Sequence, residues 1–466
     1  MIKVFDEVYS LDKRCYDEFL LTEEILMENA GRTISEYIYN HFPKGSSVLI
    51  VAGSGNNGAD GIVIARQLFG YFQVRLYLAS QPKSEIGKRQ LQRAKAIGVE
   101  IVSELVDSDI VVDALFGTGL KGELPHHRIE LIERINSLSG FKIGCDIPSG
   151  IDRDGNISSV AVKCDITITM GALKLALLSD IAKEHIGKLE IANLGVSQTI
   201  YERETNYFLL EKSDFTPPIR NRKSSHKGDY GHCAVLSGEK KGASILSGMS
   251  ALIFGAGLVT LVSSDEVGNI PYDLMESREI PRNCSVIVGG MGLGDSGIDH
   301  FRTLITSTTL PMVLDADILH SPILKEILEK RPHQLILTPH PREFQSILKN
   351  ILNIDISVSE IVRNRIDLVQ KFSEKYPDVV LLLKGANRVI VYRGKVYFDT
   401  LGLQNLAKGG SGDILSGLIG SLLAQGYTPL EASISGSLGL SLASQRYRGS
   451  NFSLTPTKLL ELLREI

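Results

Sequence analysis

The 466-residue chain has no tryptophan and only five cysteines, and it has neither a long apolar run nor an excess of basic charge. The cysteines are scattered without a CxxC pair, so the sequence supports neither a disulfide framework nor a zinc site. The net charge of −4 provides no basic surface for nucleic acid. Asp6, Glu7 and Asp12 precede any long apolar stretch, unlike a secretory signal, and no apolar window reaches the length of a membrane span. We therefore expect a cytoplasmic protein that binds small molecules rather than nucleic acid or membrane, and that forms a homo-oligomer.

Length and glycine content indicate two nucleotide-type domains. The chain exceeds the usual 100 to 200 residues of one domain. Many of its 44 glycines directly follow apolar runs, as in strand-to-helix turns that approach a phosphate. Residues 211–228, EKSDFTPPIRNRKSSHKG, interrupt the pattern with a proline pair and a basic stretch. The sequence therefore predicts domains at 1–212 and 213–466.

Both halves have the rhythm of an α/β fold. In the first, the runs SVLIVAG, VRLYLAS, DIVVDALFG, KIGCDIPSG and DITITMG alternate with helical patterns, which predicts a Rossmann-like parallel sheet between helices. In the second, HCAVLSG, LVTLVSS, SVIVGG, PMVLDAD, QLILTPH and VVLLLKG repeat the rhythm, and VIVYRGKVYF predicts a hairpin turning at Arg393-Gly394. Ligands of such folds bind beyond the carboxyl ends of the strands. Those positions hold a glycine loop, Asp113, Asp146 and Lys174 in the first half.

The glycine loop GSGNNGADG, residues 53–61, follows the first of these strands and satisfies GxGxxG. This spacing favours a phosphate at a helix N-terminus. However, the next strand ends in Ser80-Gln81, without the acidic residue that holds a ribose diol in dehydrogenases. A turn that only allows close packing is the alternative. Asn56, Asn57 and Asp60 add polar side chains that packing alone does not need.

Two carboxylates, Asp113 and Asp146, follow neighbouring strands. Such a pair repels unless a cation or a proton intervenes, which suggests that one holds a metal ion and the other does acid/base work. Gly117 and Gly119, shortly after Asp113, offer backbone N–H groups to an anion. Alternatively, either aspartate caps a turn.

Four motifs in this order, Met27-Glu28-Asn29-Ala30-Gly31, GSGNNGADG, DALFGTGL and DIPSG, resemble the YjeF-type domain of NAD(P)H-hydrate epimerases over about residues 1–210. The resemblance implies that Asn57, Asp113 and Ser149 bind a potassium ion. It implies proton transfer at substrate C6 by Asp146, with Lys174 as a second catalytic group. Ala59 replaces the family's usual glycine and keeps its N–H group. The remaining implied substrate contacts are Asn56, Asn57, Gly58, Ala59, Asp60, Gly117, Thr118, Gly119, Leu120, Lys121, Gly122, Glu123 and Asp146.

The C-terminal half carries GGSGD at residues 409–413, directly before a helical run. Glycines at a helix start expose N–H groups to a phosphate, and an adjacent aspartate can take a proton from an attacking hydroxyl. A merely dipole-stabilised Asp413 is the alternative. His340 stands between two prolines, a stiff presentation that suits a ligand contact, although a structural histidine is the simpler interpretation. Asp315 and Asp317 are weak candidates for organising magnesium.

Seven motifs in sequence, HKGDYGH, GASILSG, GMGLG, DADIL, TPHPREF, KGA and GGSGD, resemble the ribokinase-like NAD(P)H-hydrate dehydratases over about residues 215–466. Met291 and Lys408 depart from that pattern. The implied substrate contacts are Ala243, Gly292, His340 and Asp413, with Asp413 catalytic. The implied ADP contacts are Lys384, Gly385, Ala386, Asn387, Arg388 and Gly412, and Mg²⁺ accompanies the nucleotide.

The resemblance implies one repair pathway in two domains: one interconverts the R and S forms of hydrated NADH and NADPH, and the other dehydrates the S form while ADP becomes AMP and phosphate. Two alternatives stay open on the residues. The chain is a vitamin or sugar kinase with a regulatory nucleotide-binding N-terminal domain, or its first domain is a non-catalytic binding scaffold.

Overall fold

The computed structural model describes residues 1–117, 119, 122–331 and 333–466, and it separates into two compact units. One unit comprises Lys3–Tyr207, and the other comprises Phe208–Ile466 together with Met1–Ile2. The division between Tyr207 and Phe208 falls just before the irregular stretch at 211–228.

The N-terminal unit alternates strands and helices, as predicted. Its strands are β1 (Ile2–Phe5), β2 (Ser47–Ala52), β3 (Gln73–Leu78), β4 (Glu100–Val102), β5 (Ile110–Ala114), β6 (Phe141–Cys145), β7 (Ile166–Met170), β8 (Leu173–Lys174) and β9 (Lys188–Ala192), and β10 (Tyr207–Leu209) spans the division. Its helices are α1 (Tyr9–Phe19), α2 (Glu23–His41), α3 (Asn56–Leu68), α4 (Glu85–Ala96), α5 (His126–Ser137), α6 (Lys183–Ile186) and α7 (Gln198–Tyr201).

Seven of these strands form a parallel sheet in the order β4-β3-β2-β5-β6-β7-β9. The central strands are buried along almost their whole length, because helices cover both faces of the sheet. Separately, β1 pairs in parallel with the two-residue strand β8. The Rossmann-like class predicted for this half is confirmed, and the carboxyl ends of β2, β5, β6 and β7 meet at one edge.

The C-terminal unit has strands that belong to a mixed sheet. Its strands are β11 (His232–Leu236), β12 (Leu258–Val262), β13 (Met275–Ser277), β14 (Val286–Gly289), β15 (Met312–Leu314), β16 (Leu335–Leu337), β17 (Val379–Leu383), β18 (Arg388–Tyr392) and β19 (Lys395–Asp399). Its helices are α8 (Lys241–Ile253), α9 (Gly294–Ser307), α10 (Asp317–His320), α11 (Ile323–Lys330), α12 (Pro341–Ile347), α13 (Val358–Arg363), α14 (Arg365–Lys375), α15 (Ser411–Ala424), α16 (Pro429–Arg446) and α17 (Pro456–Leu462).

Strand order in this unit is β13-β12-β11-β14-β15-β16-β17-β18-β19. The pairs from β13 to β17 are parallel, and β18 and β19 join as antiparallel neighbours. The predicted hairpin turn is confirmed: Arg393 and Gly394 both have positive φ, at +49° and +74°, as a two-residue turn of this twist requires. The α/β class is therefore confirmed for both halves, with different strand orders.

Within the described residues, none of the helices combines the length and the apolar content that crossing a bilayer would require.

Candidate active sites

The glycine loop of the N-terminal unit is a tight turn between β2 and α3. A Cβ at Gly53 would lie 1.9 Å from the carbonyl oxygen of Leu115, and one at Gly58 would lie 2.0 Å from the carbonyl oxygen of Gly53. Close packing therefore requires glycine at both positions, in agreement with the alternative interpretation of GxGxxG as a packing turn. The same turn also brings Asn56 and Asn57 to the start of α3, beside the loop that follows β5.

Asp113, at the end of β5, is fully buried and is held by neutral groups. Its Oδ1 accepts the Ser149 hydroxyl at 2.6 Å and the Leu115 N–H at 3.2 Å, and its Oδ2 accepts the Ser149 N–H at 2.7 Å. Burial raises the pKa of Asp113 to about 6, and these hydrogen bonds only partly oppose it. Among the described residues, no cationic side chain pairs with this carboxyl group. Its charge is thus incompletely balanced.

Asn57 adds an unsatisfied oxygen beside this carboxyl group. Its Nδ2 donates to the Phe116 carbonyl at 2.8 Å, while its Oδ1 is buried without a hydrogen-bond partner among the described residues. The Ser149 hydroxyl, in turn, accepts the Phe116 N–H at 2.8 Å. The structure therefore brings together Asn57, Asp113 and Ser149, the three residues predicted to bind potassium.

Asp146 and Lys174 form a nearly buried ion pair. Lys174 Nζ lies 2.6 Å from Asp146 Oδ1, and the two side chains are 4% and 13% exposed. The Met170 N–H and the Thr169 hydroxyl also donate to Oδ1, at 3.0 and 3.2 Å, and Lys174 Nζ donates in addition to the Met170 carbonyl. No described hydrogen bond reaches Asp146 Oδ2, so one oxygen is fixed and the other is available.

The backbone of Asp146 is strained, with φ of +73°, a region that non-glycine residues rarely occupy. Asp146 Oδ2 faces the loop after β5, where a Cβ at Gly117 would lie 3.4 Å from both Asp146 Oδ2 and Asn57 Cβ. Gly117 thus lies between the predicted proton-transfer residue and the predicted cation site.

The other predicted substrate contacts lie along two segments. Gly58 and Ala59 are buried in α3. On the loop that leads to α5, the predicted contacts are exposed: Gly119, Gly122 and Glu123. Thr118, Leu120 and Lys121 fall outside the described residues.

A cavity of about 90 Å³ adjoins Asn56 and Asp60. Asp12, Tyr16 and Glu23 also line it, although none of the three belongs to a motif quoted above. No sequence pattern indicated these three residues, because they lie on α1 and α2, far along the chain from the glycine loop.

The C-terminal site lies at the start of α15, where the GGSGD loop enters the helix. Gly410 has φ of +96°, and a Cβ there would lie 2.6 Å from Pro456 Cγ, so the turn requires glycine. Asp413 is in the first turn of α15. Burial raises the pKa of Asp413, the nearby Asp315 raises it further, and Lys384 opposes both effects.

Lys384, at the end of β17, is the centre of the charged cluster below this helix. Its Nζ lies 2.7 Å from Asp315 Oδ1 and 3.6 Å from Glu343 Oε2. Asp315 Oδ2 accepts the Ser416 hydroxyl at 2.8 Å, which ties the cluster to α15. A Cβ at Gly412 would lie 3.4 Å from Lys384 Nζ, so the predicted ADP contacts Gly412 and Lys384 are neighbours.

Glu343 is a buried acid that the sequence analysis missed. Burial raises its pKa to about 7, while Lys384 opposes the shift. Its position three residues after His340 was a recognisable signal, because that spacing is typical of a capping box. His340 caps α12: its Nδ1 accepts the N–H groups of Arg342 and Glu343, at 3.1 and 3.2 Å. His340 therefore has a structural role as the cap of α12. Its half-exposed ring also borders the charged cluster, because its Nε2 lies 3.2 Å from Glu343 Oε1.

Gly292 and Ala243, two predicted substrate contacts, meet at Lys240. The Lys240 N–H donates to the Gly292 carbonyl at 2.8 Å, and the Ala243 N–H donates to the Lys240 carbonyl at 3.0 Å. Gly292 has φ of +59° and borders a cavity of about 300 Å³ with Asp317 and Lys240. Asp317 accepts the Gly294 N–H at 2.9 Å.

The predicted ADP-binding segment is split by burial. Gly385 and Ala386 are exposed, whereas Asn387 and Arg388 are buried. The Arg388 guanidinium donates to Asp399 Oδ2 at 2.9 Å and to the Ser441 hydroxyl at 2.7 Å. Arg388 is thus engaged in a buried network between β18 and α16, away from the Lys384 cluster.

The two sites define a chain of two fused α/β enzymes of the nucleotide-binding kind, since each has charged side chains at the carboxyl edge of a parallel sheet beside a glycine turn at a helix start. The sequence pattern of the family described as YjeF-related protein N-terminus matches residues 23–176, and that of the family described as NAD(P)H-hydrate dehydratase matches residues 233–465.

Curated relatives match over both halves at once. The chain is 42% identical to the bifunctional NAD(P)H-hydrate repair enzyme Nnr of Helicobacter pylori, over 100% of both chains. It is 33% identical to the enzyme of the same name from Coxiella burnetii, over 95% of each. Among solved structures, the ADP/ATP-dependent NAD(P)H-hydrate dehydratase of Bacillus subtilis, co-crystallised with ATP and Mg²⁺, is similar with 23% identity and a TM-score of 0.46, covering 55% of this chain and 94% of that one. The chain belongs to the family of bifunctional NAD(P)H-hydrate repair enzymes, and the resemblance inferred from its motifs is confirmed.

Proposed function

We propose that the chain repairs hydrated NADH and NADPH with two activities, an epimerase in the N-terminal domain and an ADP-dependent dehydratase in the C-terminal domain. The observation that carries the proposal is the match to bifunctional repair enzymes over the full length of the chain, which includes both charged clusters. The kinase alternative is not favoured, because those relatives share both halves and bear the repair name.

In the epimerase domain, Asp146 is the group that moves a proton at C6 of the substrate. Its Oδ1 is held by Lys174, Thr169 and Met170, so the carboxylate keeps one orientation while Oδ2 remains available. A base held in this way loses little entropy when the substrate binds. Lys174 is the second catalytic group of the proposal: it balances the charge of Asp146, and its three hydrogen bonds support a role in orienting that carboxylate.

A potassium ion fits the site formed by Asn57, Asp113 and Ser149. The buried, unsatisfied Asn57 Oδ1 and the unbalanced Asp113 carboxylate are hard oxygen ligands, as this cation prefers. The Phe116 carbonyl, which already faces Asn57, is a further candidate ligand. When bound, the ion supplies positive charge beside the substrate-binding loop, and Asp113 holds it without acting as a base.

In the dehydratase domain, Asp413 is the base. It removes the proton of the C6 hydroxyl, that oxygen bonds to the terminal phosphorus of ADP, and the bond from that phosphorus to the bridging oxygen breaks, releasing AMP. The resulting phosphate ester leaves C6 with its bonding electrons, a proton leaves C5, and the dihydropyridine is restored. The raised pKa of Asp413 makes it a better proton acceptor than an ordinary carboxylate.

Nucleotide phosphates bind at the exposed N–H groups of the GGSGD loop, with Lys384 and Gly412 beneath them, and Gly385 and Ala386 are exposed next to Lys384. Asp315 is already engaged by Lys384 and Ser416. Magnesium therefore takes its ligands mainly from the phosphates and water, as it commonly does. Substrate approaches Asp413 from the side of Gly292, Ala243 and His340.

The proposal retains the domain boundaries at 1–212 and 213–466, and a cytoplasmic location, where the five free cysteines stay reduced. A homo-oligomer remains a prediction, which light scattering on the purified chain tests.

The experiment that tests the function starts from a mixture of R and S hydrates of NADH with the purified chain. With ADP, absorbance at 340 nm should recover completely, because epimerisation feeds the S form to the dehydratase. Recovery of only the S fraction would remove the epimerase assignment. A stable phosphorylated product without recovery of absorbance would favour the kinase alternative.

A further inference from the structure

The cavity beside Asn56 and Asp60, here called the chamber, is also lined by residues that belong neither to the predicted epimerase contacts nor to the predicted cation site. Its polar lining comes from three helices: Asp12 and Tyr16 belong to α1, Glu23 to α2, and Asn56 and Asp60 to α3. The rest of the lining is apolar and includes Met27 and Met170.

Asp60 shows that the chamber is built to receive a polar group. The residue is only 9% exposed, it lines the chamber, and no described hydrogen bond or ion pair engages its carboxyl group. A buried carboxyl group without a partner costs free energy unless a ligand supplies one. Burial raises the pKa of Asp60 well above its ordinary value, so its carboxyl group can donate as well as accept a hydrogen bond. Asp60 therefore has hydrogen-bonding capacity that a ligand in the chamber can satisfy.

Asp12 is positioned in the lining of the chamber by a buried tyrosine. The Tyr201 hydroxyl donates to Asp12 Oδ1 at 2.7 Å, and Tyr201 is 2% exposed. A Cβ at Gly171, which has φ of +73°, would lie 2.4 Å from the Tyr201 hydroxyl oxygen, so close packing on Gly171 fixes the position of the phenol. Burial raises the pKa of Tyr201, which keeps the hydroxyl protonated as a donor.

Met170 belongs both to the lining of the chamber and to the surroundings of Asp146, the predicted proton-transfer residue. Its N–H donates to Asp146 Oδ1, and its carbonyl oxygen accepts a hydrogen bond from Lys174 Nζ. Glu23 also lines the chamber, where its Oε1 accepts Asn56 Nδ2 at 2.8 Å and orients a predicted substrate contact. Burial and the charge of Asp146 raise the pKa of both Asp12 and Asp60, so both carboxyl groups lie near the predicted proton-transfer residue.

We propose that Asp12 binds the substrate directly, by accepting a hydrogen bond from an N–H or O–H donor of the hydrated nicotinamide ring, and that Tyr201 is its positioning residue. This inference rests on the proposed epimerase function. The hydrated ring carries two donors of the required kind, the carboxamide N–H₂ and the C6 hydroxyl. Its remaining surface suits the apolar part of the lining.

The test measures the approach of pure R hydrate to the R/S equilibrium, without ADP so that the dehydratase is silent. Asp12→Asn keeps the shape of the side chain but removes the charge, so KM for the hydrate should rise about tenfold while kcat changes less than about twofold, since a hydrogen bond to a charged acceptor is the stronger kind. Asp17→Asn is the matched control, an exposed aspartate on the same helix, and should leave both constants unchanged.

Tyr201→Phe is the second variant, and it serves also if Asp12→Asn does not fold. It should raise KM about threefold, and the double variant should match Asp12→Asn alone, because Tyr201 acts through Asp12. The hydrate of the 3-acetylpyridine analogue lacks the amide donors. Loss of the Asp12→Asn effect with this analogue supports the carboxamide as the bound group, and persistence supports the C6 hydroxyl.

Wild-type KM in a folded Asp12→Asn variant, or a fall in kcat at constant KM, would overturn the inference. Failure of the wild-type chain to epimerise at all is a different result, because it would refute the proposed epimerase function.

Discussion

Asp413→Asn is the sharpest test of the dehydratase mechanism. The substitution preserves the volume of the side chain at the start of α15, and in the described part of the structure no hydrogen bond or ion pair engages the Asp413 carboxyl group. Burial and Asp315 disfavour the ionised form of Asp413 in the folded chain, so removing its charge should leave the stability unchanged or slightly increased. The asparagine cannot take the proton of the C6 hydroxyl, so ADP-dependent dehydration should fall by about 100-fold or more.

The assay follows absorbance at 340 nm with the S hydrate and saturating ADP, and titration calorimetry measures ADP binding separately. ADP affinity should stay the same or increase, because the substitution removes a negative charge beside the bound phosphates. Epimerisation by the same molecules should not change. Asp367→Asn is the matched control, an exposed aspartate in the first turn of α14, and should keep full activity.

The pH profile gives a second readout. The pKa of Asp413 is raised, mainly by burial, and the base works only when ionised, so wild-type kcat should fall as the pH drops through that raised pKa. The residual rate of Asp413→Asn should lack this acidic limb. Dehydration within about threefold of wild type in a folded variant would refute the assignment of Asp413 as the base.

Three further predictions concern charge and backbone. Folding raises the pKa of Asp113 from 3.8 to about 6, so in potassium-free buffer the N-terminal unit should lose about 3 kcal/mol of unfolding free energy as the pH rises from about 4 to about 6. In thermal unfolding at pH 7, KCl should restore this stability and choline chloride should not. Asp113→Asn should abolish both effects. Lys384→Met leaves Asp315 and Glu343 without their cation, so calorimetry should show the C-terminal unit destabilised by about 3 kcal/mol or more, with a larger loss above pH 7 than at pH 5. Gly410→Ala should weaken ADP binding in titration calorimetry by about tenfold or more, because φ of +96° and the contact of the new methyl group with the Pro456 ring force the phosphate loop to move.

Sequence patterns predicted the strand order along the chain well, because buried parallel strands are short apolar runs that end at glycines and aspartates. Asp113 and Asp146 were correctly expected to lie near one another, since β5 and β6 pair in parallel and their carboxyl ends share an edge. The short strands β4 and β13, three residues each, gave no such signal.

Long-range pairing was beyond the patterns. Nothing local in the sequence indicates that Lys384 pairs with Asp315, because the contact depends on the spatial order β15-β16-β17 rather than on spacing along the chain. Arg388 illustrates the opposite difficulty, since KGANR looks like one ligand-binding turn. In the structure the turn ends before Arg388, which is the first residue of β18, and the Arg388 side chain donates to Asp399.

The two sites balance buried negative charge in different ways, and this difference explains why one is expected to need a bound ion. In the C-terminal cluster, Lys384 is a permanent cation beside Asp315 and Glu343, so part of the buried negative charge is neutralised before the nucleotide arrives. In the N-terminal site, the donors to Asp113 are two backbone N–H groups and a hydroxyl, which are all neutral. Dipoles of this kind stabilise a carboxylate only in part, as the raised pKa of Asp113 indicates. A mobile cation would complete the balance, as we propose, and the unsatisfied Asn57 Oδ1 is a candidate ligand to that ion.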